Sequence, residues 1–506
     1  MTLRAFSFTQ FSLILCVLLS IDVYAREYYV SAAGNDSNPG TGTQPWQSIV
    51  KVNDTDFKPG DKVLFEGGKT FAGTINLDKN DSGSGDKKTV ITSYGTGRAI
   101  IDGANGAGLI ADGCNYLIVK DLNFKGSGRK AGNTENGVHL LDLYGAEIDN
   151  VDVSGFRSNG ILGQGIRDVR VTNVHAYENG HAGICVEGPD SNPRSENVYI
   201  GCCVAQNNPG DPSNLTNHSG NGIVAGNVDG AVIEYCKAMN NGWDMPRKGN
   251  GPVGIWAWNA DKVVIQFCIA HDNKSPGDDG GGFDLDGGVT NSILQYNLSY
   301  NNEGPGYFLC QYPSAPVFKN NIVRYNISQN DGTKNNRRSG IDIYAANNQM
   351  SDCKIYNNTI YNKNGAGIGF AGLDVPGVVI RNNIFICSGG LISGEAKRGR
   401  FENNIYWAAD DRGLTFDGRS FEQWIVETGQ EKIGDKIVGR YADPLLIEPG
   451  TAALTDPTKL VTLNAYRLKT GSPCLGAGIP IENNGGRDFW GNKLPVEGRP
   501  TIGAGL

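Results

Sequence analysis

The feature that most constrains the fold is a repeat in which a glycine is followed by an apolar or aromatic residue. It recurs at Gly137-Val138, Gly160-Ile161, Gly183-Ile184, Gly222-Ile223, Gly254-Ile255, Gly282-Phe283, Gly306-Tyr307, Gly340-Ile341 and Gly367-Ile368. The separations are 23, 23, 39, 32, 28, 24, 34 and 27 residues. A period of this size indicates a solenoid, in which each repeat is one structural unit stacked on the next.

A second marker runs in phase with the first and usually precedes a residue that favours strands. Its members are Asp121, Asn150, Asn173, Cys203, Cys236, Cys268, Asn297, Asn326, Asn358, Asn383 and Asn404. Each period then has room for three short strands, and strands this short bury a core only by stacking about 4.8 Å apart. We therefore predict an all-β fold, a right-handed parallel β-helix of about eleven three-strand coils.

The second marker is interpreted as structural. Parallel stacking places each asparagine over the next, where side-chain amides can hydrogen-bond along the axis. Cys203, Cys236 and Cys268 occupy the same column on consecutive coils and are expected to be small buried groups rather than metal ligands.

The two ends of the chain differ from the repeats. Residues 1–25 combine a charged start, a short apolar run and a small-residue cleavage site ending at Ala25, which predicts a cleaved signal peptide and a secreted or periplasmic protein. Residues 26–100 are expected to form an N-terminal cap with helical spacing near Trp46 and the first coils, and residues 101–407 the repeats. Residues 408–506 are expected to form a C-terminal cap, in which Ser420 and Gln423 have the spacing of a capping box.

Composition limits the partners. The formal charge of −8, with scattered basic residues, argues against nucleic acid. No segment after the signal is apolar enough to span a membrane. We expect a monomer that acts on a polysaccharide or oligosaccharide.

Two terminal regions carry a resemblance to a known superfamily. They are residues 28–61, with Pro45-Trp46 and Pro59-Gly60-Asp61, and residues 471–504, with Asp488-Phe489-Trp490-Gly491. With the repeat, they resemble secreted bacterial parallel β-helix proteins of the pectate lyase and polygalacturonase type. The resemblance implies export and a carbohydrate-active protein. The catalytic residue set of polygalacturonases is not reproduced on matching strands, so no site residue is carried over.

Strand alternation places two columns of side chains on the outside of the strand that follows each repeat glycine. The first column is predicted to contain His139, Leu162, Cys185, Val224, Trp256, Asp284, Phe308, Asp342 and Gly369. The second is predicted to contain Leu141, Gln164, Glu187, Gly226, Trp258, Asp286, Cys310, Tyr344 and Ala371. Exposed aromatic rings beside carboxylates suit a sugar polymer.

We therefore predict Asp284, Asp286 and Asp342 as catalytic residues. Along one strand, Asp284 and Asp286 have Cα atoms roughly 6.6 Å apart, and two coils separate Asp284 from Asp342 by roughly 9.6 Å. Inverting glycosidases place their carboxyl groups about 6.5–9.5 Å apart. The residues predicted to bind substrate are Trp256, Trp258, Phe308, Tyr344, Arg337, Arg338 and His218.

Four long insertions precede repeat glycines and are expected to form walls beside this face. They span residues 206–221, 241–253, 273–281 and 330–339 and contain His218, Asp278, Asp279, Arg337 and Arg338.

Three functions remain open. The leading hypothesis is a glycoside hydrolase with paired carboxylates and no cofactor. The alternative is a lyase or epimerase acting on a uronate polymer. Its calcium would be held among Asp278, Asp279, Asp284 and Asp286, with Arg337, Arg338 or Lys334 as base or charge neutraliser. The third is a glycan-binding solenoid without catalysis.

Overall fold

The computed structural model describes residues 25–188, 194–334, 339–394 and 399–506. In these ranges the chain is a right-handed parallel β-helix, as predicted, built on a 26-stranded sheet and a 12-stranded sheet. We name them the long sheet and the cleft sheet. Most coils place two strands in the long sheet and one in the cleft sheet. The predicted signal peptide lies outside the described residues except for Ala25.

The strands of the cleft sheet, in chain order, are Ile75–Leu77, Leu109–Asp112, Val138–Leu141, Asn159–Gln164, Ala182–Val186, Asn221–Gly226, Ile255–Trp258, Phe283–Leu285, Tyr307–Gln311, Ser339–Ala345, Ala366–Gly372 and Ile392–Ser393.

The strands of the long sheet are Glu27–Val30, Lys62–Glu66, Thr70–Ala72, Thr89–Tyr94, Ala99–Ala104, Leu117–Gly126, Glu147–Ser154, Arg167–Thr172, His175–Tyr177, Ser195–Gly201, Val204–Gln206, Val228–Glu234, Lys237–Met239, Asp261–Gln266, Ile269–His271, Ile293–Gln295, Leu298–Tyr300, Ile322–Arg324, Ile327–Gln329, Cys353–Tyr356, Thr359–Asn362, Val378–Arg381, Ile384–Cys387, Arg400–Glu402, Ile405–Ala408 and Arg440–Tyr441. Short pairs join Phe318–Lys319 to Met350–Ser351, Gly389–Gly390 to Leu414–Thr415, and Lys432–Ile433 to Lys436–Ile437. The helices are α1 (Ile49–Asn53) and α2 (Phe421–Thr428), with 3-10 turns at Lys79–Asp81 and Pro457–Thr462.

The residue after each repeat glycine points into the helix. Ile184, Ile223, Ile255 and Phe283 are register partners on consecutive coils, and all four are fully buried. Burying one such side chain contributes roughly 1.5–3 kcal/mol. The inward column therefore supplies the main driving force for stacking.

The predicted asparagine column is a continuous hydrogen-bonded ladder from Cys203 onward. The backbone N–H of Cys203 donates to Cys236 Sγ, and that of Cys268 donates to Asn297 Oδ1 at 2.9 Å. The pattern continues through Asn404, whose Nδ2 donates to Glu431 at 2.7 Å. The ten cysteines of the described residues are free thiols, which agrees with a structural role for the three in the ladder.

The assignment of the first three column members was wrong by one residue. Asp121, Asn150 and Asn173 have φ of +54°, +53° and +53° and form left-handed corners, the first two within the strands Leu117–Gly126 and Glu147–Ser154 and the third between two strands. The residues that follow them point inward and are apolar. Asparagine and aspartate tolerate left-handed backbone, so they favour the corner as well as the ladder position beside it, and spacing does not separate the two.

A second ladder was not predicted. Asn179, Asn208, Asn241, Asn273, Asn302 and Asp331 each bond to the next, as in the 3.0 Å bond from Asn208 Nδ2 to Asn241 Oδ1. It lies where the insertions leave the coil. The ladder therefore fixes the base of the loops that surround the cleft sheet.

The ends are closed by aromatic residues. Trp46 and Ile49 pack on the first coils, and the predicted helix begins at Ile49 rather than at Trp46. At the other end α2 has the predicted capping box, with Gln423 N–H donating to Ser420 Oγ at 3.2 Å, and buries Trp424 on the last coil. The final segment also packs along the outside of the long sheet, where Tyr466 bonds to Gln329.

Candidate active-site cleft

A cleft of about 1330 Å³ lies on the outer face of the cleft sheet. All four predicted insertions contribute to its walls, through Asn217 and His218, Asn250 and Gly251, Asp278 and Asp279, and Lys334. Its floor is formed by the two predicted outward columns. The acids Glu187, Asp278, Asp279, Asp284, Asp286, Glu303 and Asp342 line it.

The register of the first column agrees with the prediction. Trp256 pairs with Asp284, Asp284 with Phe308, and Phe308 with Asp342. In the second column Gly226 pairs with Trp258. The sheet therefore brings Asp284 and Asp286 to the centre of the floor, with aromatic residues on the coils before and after them.

The prediction that the whole face is exposed was wrong. Trp256, Asp284, Phe308 and Asp342 are only 4, 3, 5 and 6% exposed. Insertions fold over the first column, and Trp256 packs with Leu162, Cys185, Val224 and Val253 in a small apolar cluster outside the helix. The second column stays more open, so the partly exposed rings of Trp258 and Tyr344 are the ones available to a ligand.

Asp286 is a carboxyl group of the cleft floor with a raised pKa. Burial, and then the negative charge of Asp279, raise its pKa to about 6, against hydrogen bonds from Cys310 and Gly287 that lower it. The Gly287 N–H donates to Asp286 Oδ1 at 2.7 Å. Asp286 therefore carries its proton in mildly acidic solution, as a general acid requires.

Asp342 is held on its own strand. Its Oδ1 accepts the backbone N–H of Ser339 at 3.1 Å and also the Ser339 hydroxyl. A Cβ on Gly369 would lie 2.4 Å from the same oxygen, so a glycine is needed beside it. These contacts fix the Asp342 carboxyl group between Ser339 and the next coil.

Asp279 is also anchored by a backbone group. Its Oδ2 accepts the N–H of Gly251 at 2.7 Å, which ties two walls of the cleft together. Asp278 beside it is exposed. Both offer the oxygen atoms that calcium prefers. Arg337 and Arg338, predicted to bind substrate, lie outside the described residues.

Lys334 is the only lysine or arginine among the described residues that line the cleft. Its Nζ donates to the carbonyl oxygens of Ser275 and Gly277 and lies 3.8 Å from Glu303. The ammonium group therefore holds two insertions together.

His181 was not predicted as a site residue, and Glu187 was placed in the second outward column without a role. His181 Nε2 lies 3.3 Å from Glu187 Oε1, and Trp258 Nε1 donates to Glu187 Oε2 at 3.3 Å. Burial raises the pKa of Glu187, but His181 outweighs it, and the pKa falls to about 2. Alternation was the available signal, because positions 181, 185 and 187 share the outer face of one strand.

His218 lies above this group. Its ring centroid is 5.9 Å from that of His181 and 5.1 Å from that of Trp256. Burial, with the nearby charge of His181, lowers the pKa of His218 to about 4. The predicted substrate-binding histidine is therefore neutral at physiological pH.

No helix in the described part of the chain is long and apolar enough to cross a membrane.

Comparison with known proteins gives matches in sequence and in fold. Pectate lyase L of Paenibacillus polymyxa (strain SC2) is 23% identical over 299 residues, which cover 55% of this chain and 59% of that protein. The chain thus spans about three-fifths of that relative. The native lacto-N-biosidase of Eubacterium ramulus, a GH136 protein, has a TM-score of 0.51 at 20% identity over 70% of this chain and 68% of its own. Pectate lyase Pel9A has a TM-score of 0.44 at 16% identity over 95% of this chain and 96% of its own.

The family is decided by a match between this chain and a family model. The model of the Pel9A-like right-handed β-helix region covers residues 28–336, which is more than half of the chain and contains most of the cleft. It includes the repeats up to Gly306-Tyr307, the first three insertions and both central aspartates. The chain belongs to the Pel9A-like right-handed β-helix family.

Proposed function

We propose that this protein is an exported enzyme that hydrolyses glycosidic bonds in the cleft. The observation that carries the proposal is the pair of carboxyl groups, Asp284 and Asp286, on the floor of one cleft, where burial raises the pKa of Asp286 to about 6. A protonated carboxyl group and a nearby carboxylate are the two groups that glycoside hydrolysis uses. The predicted signal peptide supplies export.

In the proposed reaction Asp286 protonates the oxygen of the leaving sugar. Asp284 acts as the base that activates a water molecule, because it lies two residues before Asp286, on the same side of the chain, and lines the same cleft. The reaction needs no cofactor. Asp279 contributes through its charge, which keeps the Asp286 proton in place.

Trp258 and Tyr344 are proposed to bind sugar rings on the two sides of Asp286. Both line the cleft, both are partly exposed, and they lie on different coils of the second column. Aromatic rings bury large apolar areas at low entropic cost, which suits the flat faces of pyranoses.

The test is release of reducing ends from a panel of plant and algal polysaccharides and oligosaccharides. Asp286→Asn and Asp284→Asn are each expected to lower kcat by about 100-fold or more, the usual contribution of general acid–base catalysis. Asp229→Asn is the matched control, since Asp229 is exposed on the long sheet. Full activity in either cleft variant would refute the assignment, and binding without cleavage of any glycan would favour a non-catalytic solenoid.

Elimination is the second candidate, favoured by the similarity to pectate lyase L. Asp278 and Asp279 would then hold calcium, and the base would come from Lys334 or from Arg337 or Arg338. A product that absorbs ultraviolet light as an unsaturated uronate, with activity lost on calcium chelation, would establish it. We expect neither the unsaturated product nor the calcium dependence, because the Lys334 ammonium group already donates hydrogen bonds to two carbonyl groups.

A further inference from the structure

Three side chains from one segment meet at the end of the cleft away from Asp286. They are His181, just before the strand Ala182–Val186, Cys185 within it, and Glu187 just after it. Alternation turns all three outward, and their ligand atoms lie within 4.8 Å of one another. His181 and Glu187 line the cleft, whereas the Cys185 thiol lies beneath them, fully buried.

We propose that His181, Cys185 and Glu187 bind one divalent transition-metal ion, with Zn²⁺ as the best fit and a fourth position open to the cleft. Imidazole, thiolate and carboxylate together suit zinc, whereas calcium takes oxygen ligands only. Three protein ligands with one open position are typical of zinc sites that bind water or substrate.

The spacing of the donor atoms is compatible with such an ion. Zinc–ligand bonds of about 2.0–2.3 Å in a tetrahedron place neighbouring ligand atoms about 3.3–3.6 Å apart. His181 Nε2 and Glu187 Oε1 already lie 3.3 Å apart. The widest pair in the group must approach by about 1 Å, and rotation of a side chain is enough for this.

The charges of the three ligands also balance the charge of a divalent ion. One thiolate and one carboxylate neutralise a divalent cation, so the ion would enter the apolar surroundings of Cys185 without net charge. A bound cation favours the thiolate form of Cys185, so metal binding releases the thiol proton to solvent.

The ligand nitrogen of His181 approaches Glu187 Oε1 at 3.3 Å without forming a well-oriented hydrogen bond. Among the described residues, His181 Nε2 is shielded from solvent and has no partner with hydrogen-bond geometry. Buried polar atoms in proteins are nearly always hydrogen-bonded, and an exception can mark a site for an ion. A metal ion between His181 and Glu187 would give the nitrogen atom a bonding partner.

Outer contacts hold the carboxylate in place. Trp258 Nε1 donates to Glu187 Oε2, which leaves Oε1 directed toward His181. The indole reaches this position because residue 226 is a glycine, where a Cβ would lie 2.0 Å from Trp258 Nε1. Partners that orient a ligand in this way typically change metal affinity by about 10- to 100-fold.

His218 is excluded as a ligand by its own hydrogen bond. Asn221 Oδ1 accepts the N–H groups of Val253 and Trp256, so Asn221 Nδ2 faces His218 Nδ1 at 3.1 Å and donates to it. Neutral His218 then carries its proton on Nε2. It can donate to a water molecule or hydroxyl group at the open position.

The site would form a separate sugar-binding position. Glu187 and Asp286 belong to one column and are three coils apart, which is about 14 Å. The ligand of the open position is therefore a glycan hydroxyl group or water, two to three sugar units from the reacting bond. The metal site does not depend on whether that bond is hydrolysed or eliminated.

The test is titration of the metal-free full-length protein with Co²⁺, followed by displacement with Zn²⁺. We expect one equivalent to bind with a thiolate-to-cobalt charge-transfer band in the near ultraviolet, and Zn²⁺ to abolish the band. Absence of the band in the wild-type protein would overturn the proposal without any variant.

Two cysteine variants identify the ligand. Cys185→Ser is expected to abolish the band, and Cys310→Ser, which changes a cleft cysteine outside the group, to leave it unchanged. Loss of the band in Cys310→Ser but not in Cys185→Ser would show that the ion binds elsewhere and would refute the proposal. Trp258→Phe keeps an aromatic ring but removes the bond to Glu187, and it is expected to weaken Zn²⁺ binding by about 10- to 100-fold.

Discussion

Replacing Asp286 by asparagine is expected to remove a pH-dependent loss of stability. Burial, and then the charge of Asp279, raise the pKa of Asp286 from 3.8 to about 6. The folded protein thus binds this proton more tightly than the unfolded chain does. The resulting stabilisation is complete below pH 3.8 and is lost as the pH rises through about 6. Asparagine has a similar shape and does not titrate.

The size of the effect follows from the interval between the two pKa values, which corresponds to roughly 3 kcal/mol in the free energy of unfolding. With an unfolding entropy of about 2.1 cal/mol/K per residue, this becomes ~3 °C in Tm for a chain of this length. Between pH 4 and pH 7 the wild-type protein should therefore lose ~3 °C relative to Asp286→Asn.

The assay is thermal unfolding of both proteins at several values of pH, with the difference in Tm plotted against pH. Asp331 and Glu431, whose pKa values are also raised by burial, are present in both proteins and cancel in the difference. Asp229→Asn, which removes an exposed carboxyl group on the long sheet, is the control. A flat line for Asp286→Asn, or a slope of opposite sign, would refute the assignment of a raised pKa.

Three further predictions concern the scaffold and are checked by unfolding measurements. Gly226→Ala should destabilise the protein by about 1–3 kcal/mol, because the new Cβ meets Trp258 Nε1 at 2.0 Å, whereas Gly85→Ala, with open space around it, should not; equal effects would contradict this. Asn326→Leu should cost at least ~3 kcal/mol, since it removes the side-chain partner of two buried backbone groups of the preceding coil, the Asn297 N–H and the Leu294 carbonyl; a loss below ~1 kcal/mol would show that the ladder is not needed. Glu431→Gln should gain stability over the wild-type protein as the pH rises through about 7, because burial raises the Glu431 pKa to that value; a gain that is the same at pH 5 and pH 9 would count against it.

The sequence predicted the fold and the order of the outward columns because both follow from the period of the repeat. A glycine followed by an inward residue sets the register of every coil, and alternation then assigns Asp284 and Asp286 to the outer face. The position of the ladder was less determined, since asparagine suits both the left-handed corner at Asn173 and the buried position one residue later.

Burial of the outer face was not predictable in this way. Whether Trp256 is open or covered depends on how the insertions fold back, and they have no periodicity. The contact between His181 and Glu187 was accessible in principle, because alternation within one coil joins them. The hydrogen bond from Trp258 to Glu187 crosses two coils and depends on the glycine at position 226, which only the three-dimensional structure shows.

The most direct test of the central proposal is cleavage of an accepted glycan in ¹⁸O-labelled water. Hydrolysis by Asp286 and Asp284 predicts one ¹⁸O atom in each new reducing end, no product that absorbs in the ultraviolet, and loss of both labelling and cleavage in Asp286→Asn. Cleavage without ¹⁸O incorporation, accompanied by an unsaturated uronate, would contradict hydrolysis and establish elimination.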